Sequence, residues 1–222
     1  MKNLTHSFGN KLVSKSQKTK LVQNVFDRVA VKYDLMNDLM SFGMHRLWKK
    51  KFVDIMNIQD NQKIIDIGAG TGDVGLQIAN SNPSCKIFLT DLNYSMLEKG
   101  KNKKNINSNN IKWIKANAEM LPFPDNYFDK YIISFCLRNI TSIKKALDES
   151  YRVLKEGGEF YCLEFSSVKL PIVNEIYDKY LTNVIPIIGD YVSNQKKSYT
   201  YLVESIKNFP DQEILKNKLK KT

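Results

Sequence analysis

Residues 64–73 read Ile-Ile-Asp-Ile-Gly-Ala-Gly-Thr-Gly-Asp, and the next apolar run, 86–91, closes on Asp91. The β-branched side chains of Ile64, Ile65 and Ile67 suit a strand buried on both faces, as in a parallel sheet. Gly68, Gly70 and Gly72 follow at once; they permit a tight turn and let a ligand come close to the backbone. A helix is expected to open near Asp73. An acidic residue ending the second strand is placed to accept hydrogen bonds from both hydroxyls of a ribose. The unit therefore points to a nucleoside-containing ligand.

The spacing narrows the choice. Dinucleotide folds use G-x-G-x-x-G to bring a pyrophosphate to a helix N-terminus. Here the glycines space as G-x-G-x-G, with Asp66 before them and Asp73 directly after. Two carboxylates beside the turn would repel a pyrophosphate and suit a cation or an ammonium group. S-adenosylmethionine carries a sulfonium, an ammonium and a ribose, and so fits better than a dinucleotide or a bare structural turn. Asp66, Gly68, Gly70 and Asp91 are the expected contacts within this unit.

Strand and helix signals then alternate. Strands are expected at 62–67, 86–91, 111–116, 130–135 and 158–165, with helices at 74–79, 94–103 and 143–154. Such alternation implies parallel strands joined by right-handed crossovers. Ligands of such sheets bind beyond the carboxyl ends of the strands, where strand order reverses. Two helices, at 20–33 and 45–56, precede the first strand and are expected to pack over the cofactor mouth. A long apolar helix at 171–188 includes Ile172, Val173, Ile176, Tyr177, Tyr180, Leu181, Val184 and Ile185; Pro186 should break or kink it. It reads either as packed on the sheet or as a cover for a greasy substrate. Further helices are expected near 199–208 and 211–221. Neither an internal repeat nor a linker is evident, so 1–222 reads as one domain: a helical cap at 1–60, a cofactor-binding core at 61–168 and substrate-side helices at 169–222.

Bulk properties add limits. The 222 residues, 42% of them hydrophobic, suffice for a substantial core. The chain has no run of 18 apolar residues, and residues 1–20 lack the apolar stretch of a secretory signal; basic and free of acid, they are compatible with a targeting peptide, though they contain no Arg. Cys85, Cys136 and Cys162 are odd in number and far apart, and read as free thiols in a reducing compartment. The net charge of +11 comes mostly from lysines scattered with asparagine, as in 101–110, which reads as solvated surface. It argues for contact with an anionic membrane surface more than for nucleic acid.

The segment 33–48, with Tyr33, Asp34, Met36, Asn37, Ser41, His45 and Trp48, resembles the N-terminal signature of the UbiE/Coq5 ubiquinone and menaquinone biosynthesis C-methyltransferases. A second signature resembles 152–166, with Glu156 where the family usually has Pro, and 116–129 and 133–140 also look like the family. The family commonly reads Ala-Gly-Gly-Thr-Gly-Asp where 68–73 reads Gly-Ala-Gly-Thr-Gly-Asp, and often has Gly where Cys136 stands. Family members continue with two further strands beyond the last residue here, so the fifth strand is expected at an open edge. The resemblance implies a class I S-adenosylmethionine-dependent methyltransferase fold: α/β and Rossmann-like, with a central, mostly parallel sheet, a helical N-terminal cap and the C-terminal strands missing.

It also carries over, by motif match, cofactor contacts at Thr71, Asp91, Asn117, Ala118 and Ser134. Asn117 would bond the adenine edge and Ser134 would lie beside the methionine moiety. The implied reaction is methylation of a polyprenyl benzoquinol or naphthoquinol at a ring carbon, with neither metal nor covalent intermediate. Arg138 is expected to stabilise the phenolate and orient a water that carries the proton away; arginine stays charged and is no direct base. Asn139 would fix the ring hydroxyl, and Tyr33 would close over the methyl donor. His45 reads as a proton acceptor or as a packed, capping histidine. A cytoplasmic enzyme peripheral to the inner membrane, or held in a quinone-synthesis complex, is the implied setting, and a homodimer is compatible with it. The alternatives are a dinucleotide-dependent oxidoreductase and a non-catalytic subunit of such a complex.

Overall fold

The computed structural model describes residues 7–103, 109–166, 171–193 and 195–220. Contacts divide the chain into two compact units, 46–164 and the pair of segments 1–45 and 165–221.

In the first of these, five parallel strands form the core: β1 (Lys63–Ile67), β2 (Lys86–Asp91), β3 (Ile111–Lys115), β4 (Phe128–Ser134) and β5 (Leu154–Leu163). Their order is β3-β2-β1-β4-β5, so strand order reverses between β1 and β4. The register pairs Ile64 with Ile87 on one side and with Lys130 on the other. Ile64, Ile65 and Ile67 are almost wholly buried, as expected for the central strand of a covered sheet. Lys130 is buried too and forms an ion pair with Glu159 on the neighbouring strand.

Three of the four crossovers contain a helix. α4 (Asp73–Ser81) follows β1, α5 (Tyr94–Lys101) follows β2, and α6 (Ile143–Val153) precedes β5. α6 buries Ile143, Ala146, Leu147, Ser150 and Val153, an apolar stripe at helical spacing, and Ser142 caps its start. The chain enters this unit within α3 (Met44–Asp54), whose Phe52 and Val53 join the core that contains Ile64, Ile87 and Leu89.

The other unit is helical. A short ribbon pairs Ser7–Phe8 with Lys11–Leu12, and Phe8 stacks on Tyr201 with ring centroids 4.1 Å apart. α1 (Lys15–Val29) opens on a capping box of Ser14 and Gln17. The helix expected at 20–33 is not continuous. A 3-10 turn, Ala30–Lys32, separates α1 from α2 (Tyr33–Ser41). The buried residues Val25, Val29, Met36 and Met40 keep a heptad-like spacing across the turn, which hides the break from the apolar pattern.

The segment expected as one helix at 171–188 is α7 (Pro171–Lys179), a π turn at Tyr180–Val184 and α8 (Ile185–Ser193). The widened turn comes just before Pro186, whose ring would clash with the carbonyl of Thr182 in a regular helix. The side chains of Ile172 and Val173 lie outside the described residues. α9 (Lys196–Lys207) and α10 (Gln212–Leu219) complete the unit, and Tyr199, Leu202 and Ile206 of α9 pack with Leu181 and Ile185.

Candidate functional site

The glycine turn joins β1 to α4. Gly68, Gly70 and Gly72 all take positive φ (62°, 58° and 82°), conformations that residues with a Cβ rarely adopt. The Ala69 amide donates to the Thr90 carbonyl at 2.9 Å, and the Gly72 amide closes the turn on the Ala69 carbonyl at 2.8 Å. The turn is then tied to the end of β2. The Gly70 amide donates to Asp91 Oδ2 at 2.8 Å, and the Asn93 amide to Oδ1 at 2.7 Å. Each oxygen of that carboxylate keeps a further lone pair, enough for two hydroxyl donors. Burial raises the Asp91 carboxyl to about 6, although the amides of Asn93, Gly70 and Leu92 pull it down.

Asp66 lies beneath the turn and is almost fully buried. Its Oδ2 accepts from the Gly75 amide at 3.2 Å; Oδ1 has no hydrogen-bond partner among the described residues. Burial raises its carboxyl to about 7, the Gly75 amide and Lys49 opposing, Asp91 and Asp73 adding to the rise.

Asp73 behaves oppositely. Burial works against its ionisation, but Lys49 and Lys103 outweigh it and hold the carboxyl well below the usual range. Lys49 Nζ lies 2.7 Å from Oδ2, and Lys103 Nζ lies 2.5 Å from Oδ1 and 3.0 Å from Thr71 Oγ1. The two carboxylates beside the turn, expected alike to suit a cation or an ammonium group, differ. One is poised to hold a proton near neutrality and the other is matched by two cations. Lys103 is also no solvated surface lysine; of the segment 101–110 around it, 104–108 lie outside the described residues.

Asn117 follows β3. Its Oδ1 accepts from the Glu119 amide at 2.9 Å, turning the loop, and its Nδ2 bonds to none of the described residues. The adjoining Ala116 amide reaches the Asp91 carbonyl at 3.0 Å, which brings Asn117 and Ala118 to the end of β2. Ser134 ends β4, next to β1 in the sheet.

Past Ser134 the backbone bends sharply: Phe135 takes φ 53°, a strained value for an aromatic residue. The Phe135 carbonyl accepts from Arg138 Nη1 at 2.7 Å and more weakly from Asn139 Nδ2 at 3.5 Å. Arg138 Nη1 also lies 2.9 Å from both oxygens of Glu164, immediately after β5, and both side chains are buried. The Cys136 thiol is pushed well up, first by burial and then by the carboxylates of Asp91 and Glu164.

The sites expected at the ends of β1 to β4 are thus gathered at one end of the sheet. Tyr33 belongs to the helical unit, where its ring lies 6.3 Å from that of Phe26. His45, in the same unit, is buried with Nε2 2.9 Å from Asp38 Oδ1. Sequence reasoning missed Lys49, Lys103 and Glu164. The run of three lysines at 49–51 gives a hint of the first; nothing local marks the other two. Among the described residues no cluster of metal-ligating side chains occurs.

A model of the ubiE/COQ5 methyltransferase family matches residues 11–222. The ubiquinone/menaquinone biosynthesis C-methyltransferase UbiE of Rickettsia prowazekii is 48% identical, over 97% of this chain and 89% of that protein. Its namesake from Pasteurella multocida is also 48% identical, over 96% of this chain and 80% of its own length. Among solved structures, a SAM-dependent methyltransferase from Thermotoga maritima aligns with a TM-score of 0.62 at 22% identity, covering 89% of this chain and 79% of that one. A SAM-dependent methyltransferase from Aquifex aeolicus aligns with a TM-score of 0.52 at 20% identity, covering 63% and 73%. The structural likenesses bear on the fold alone.

Proposed function

The chain belongs to the ubiE/COQ5 methyltransferase family, and from that premise we propose how its own residues carry out the reaction. It is an S-adenosylmethionine-dependent C-methyltransferase of quinone biosynthesis, with a polyprenyl quinol as substrate. Demethylmenaquinol and 2-polyprenyl-6-methoxy-1,4-benzoquinol are the two rings proposed. The oxidoreductase alternative is not favoured by these relatives.

S-adenosylmethionine supplies an electrophilic methyl group. The residues present suit it: the two open lone pairs of the Asp91 carboxylate match a ribose diol, and among the described residues the Asn117 amide nitrogen is left over for an adenine acceptor and the buried Asp66 Oδ1 atom has no partner. The observation that carries the reading is the bond from the Gly70 amide to Asp91 at the end of β2, beside the reversal of strand order. It fixes the turn and the carboxylate as one rigid unit, so the ribose is held without reorganisation. Thr71, Gly68 and Ser134 complete the proposed contacts, with Ala118 beside Asn117.

The acceptor is a ring carbon, a weak nucleophile until its hydroquinone loses a phenolic proton. Arg138 is proposed to stabilise the phenolate and to orient the water that takes the proton; a bound S-adenosylmethionine would give its methyl group to the ring carbon as the S–CH3 bond breaks to leave S-adenosylhomocysteine, and the ring hydrogen would leave as a proton when aromaticity returns. Glu164 holds the guanidinium in place. Asn139 fixes the ring hydroxyl. Alignment of this kind is worth about 7–11 kcal/mol of the barrier.

No helix among the described residues is long and apolar enough to cross a membrane. We propose peripheral contact with an anionic bilayer, where the quinol resides. Quinones extracted from cells that lack their own enzyme test the function. Expression of this chain should remove the accumulated demethyl species and restore the methylated one, read by mass spectrometry. Persistence of the demethyl species despite soluble, S-adenosylhomocysteine-binding protein would sink the catalytic reading.

A further inference from the structure

Two lysines converge on one carboxylate at the glycine turn. Lys49, from α3, is 8% exposed and meets Asp73 Oδ2; Lys103, just past α5, meets Asp73 Oδ1 and the Thr71 hydroxyl. One cation would balance Asp73. The second leaves a surplus positive charge in a partly buried place, at the first turn of α4, where the helix dipole already disfavours further cations. The neighbouring acids are engaged elsewhere, and burial raises Asp66 to about 7, so it ionises reluctantly. Asp66 also spends its bonded oxygen on the Gly75 amide, and Asp91 spends both on the backbone. A buried surplus of this kind is costly unless an anion joins it.

We propose that Lys49 and Lys103 form the seat for the carboxylate of the cofactor's methionine half. That carboxylate brings the cluster to two cations and two anions. It also explains why the turn carries lysines that the binding of adenosine alone would not need. Asp73 then has a positioning role: it holds both ammonium groups at the turn.

Calorimetric titration separates the parts of the ligand. S-adenosylhomocysteine is compared with its decarboxylated analogue, S-adenosyl-3-thiopropylamine, which keeps the adenosine and the amine. The natural protein should bind the first at least tenfold more tightly. Lys49→Met should weaken S-adenosylhomocysteine about tenfold and leave the analogue unchanged, with Lys49→Arg recovering most of the loss. Lys103→Met, at a more exposed side chain, should do the same and serves as the reading if Lys49→Met does not fold. Equal affinity of the natural protein for both ligands, or a substitution that weakens both alike, overturns the assignment. Failure of the natural protein to bind either ligand would count instead against the cofactor.

Discussion

Gly68 and Cys136 compete for one space. A Cβ built on Gly68 would lie 2.1 Å from Cys136 Sγ and 2.7 Å from its Cβ. The family resemblance sets Ala at 68 and Gly at 136, and the two departures from it meet across the turn. Gly68→Ala should therefore destabilise the chain by about 1–3 kcal/mol through overpacking. Adding Cys136→Gly should return part of it, the rest being the cost of a Cβ at φ 62°. Urea unfolding of the four proteins measures the coupling, expected at about 1–2 kcal/mol; additive losses would show that the side chains do not meet. Asp91 gives a second test at this scale. Its carboxyl sits at about 6 rather than its ordinary 3.8, so the folded chain holds a proton that the unfolded chain has lost. The stability this lends is present at low pH and declines as pH rises from near 4 to about 6. Ribose hydroxyls donate to the charged form, so ligand binding should release the proton. Affinity for S-adenosylhomocysteine should then be about tenfold weaker at pH 5 than at pH 7.5. Asp91→Asn should bind weakly at both; a pH slope that persists in Asp91→Asn would assign it elsewhere.

The ends of β4 and β5 are level, with Ser134 paired to Leu163, and this brings Arg138 against Glu164 across 26 residues of chain. Breaking a buried ion pair from one side strands a charge and costs about 3–5 kcal/mol, so single substitutions there mix folding with chemistry. Arg138→Gln together with Glu164→Gln removes both charges at once. The double variant should unfold within a few degrees of the natural chain, bind S-adenosylhomocysteine normally and turn over at least tenfold more slowly. Normal turnover would take the guanidinium charge out of the mechanism. Elements whose cause is local were legible in the sequence. β2 was expected at 86–91 and occupies Lys86–Asp91, because an apolar β-branched run closing on an acid leaves little choice. β5 was expected at 158–165 and runs Leu154–Leu163, because Leu154 reads as the last residue of the helix expected at 143–154, and Gly157 and Gly158 lie within the strand, where its register with β4 is irregular. The site divides in the same way. Gly68, Gly70 and Asp91 belong to one motif and were visible. Lys49, Lys103 and Glu164 act on partners 24, 30 and 26 residues away, and no periodicity points across such gaps.

At the scale of the whole chain, charge and exposed apolar surface both bear on the proposed membrane contact. The net charge is +11, and the segment from α7 to α8 exposes Ile176, Ile187 and Tyr191 at 66%, 64% and 94%. Lys179, Lys196 and Lys197 are exposed on the same stretch of chain. The proposed contact with an anionic bilayer would bring the enzyme to its polyprenyl quinol. Each lysine near an anionic surface contributes about 1 kcal/mol, while exposed side chains such as Ile187 can enter the headgroup region. The electrostatic part is screened, since the Debye length falls from about 10 Å at 0.1 M salt to about 3 Å at 1 M. The chain should therefore co-sediment with phosphatidylserine-containing vesicles at 0.1 M salt, at least tenfold better than with phosphatidylcholine alone, and should be largely released at 1 M. Replacing Ile187 and Tyr191 by Ser should weaken what binding survives in high salt and leave the salt dependence as it was. Equal binding to both vesicle types would mean that the charge plays no part in reaching the substrate, and release of the chain by salt from both would mean that the apolar residues do not enter the lipid.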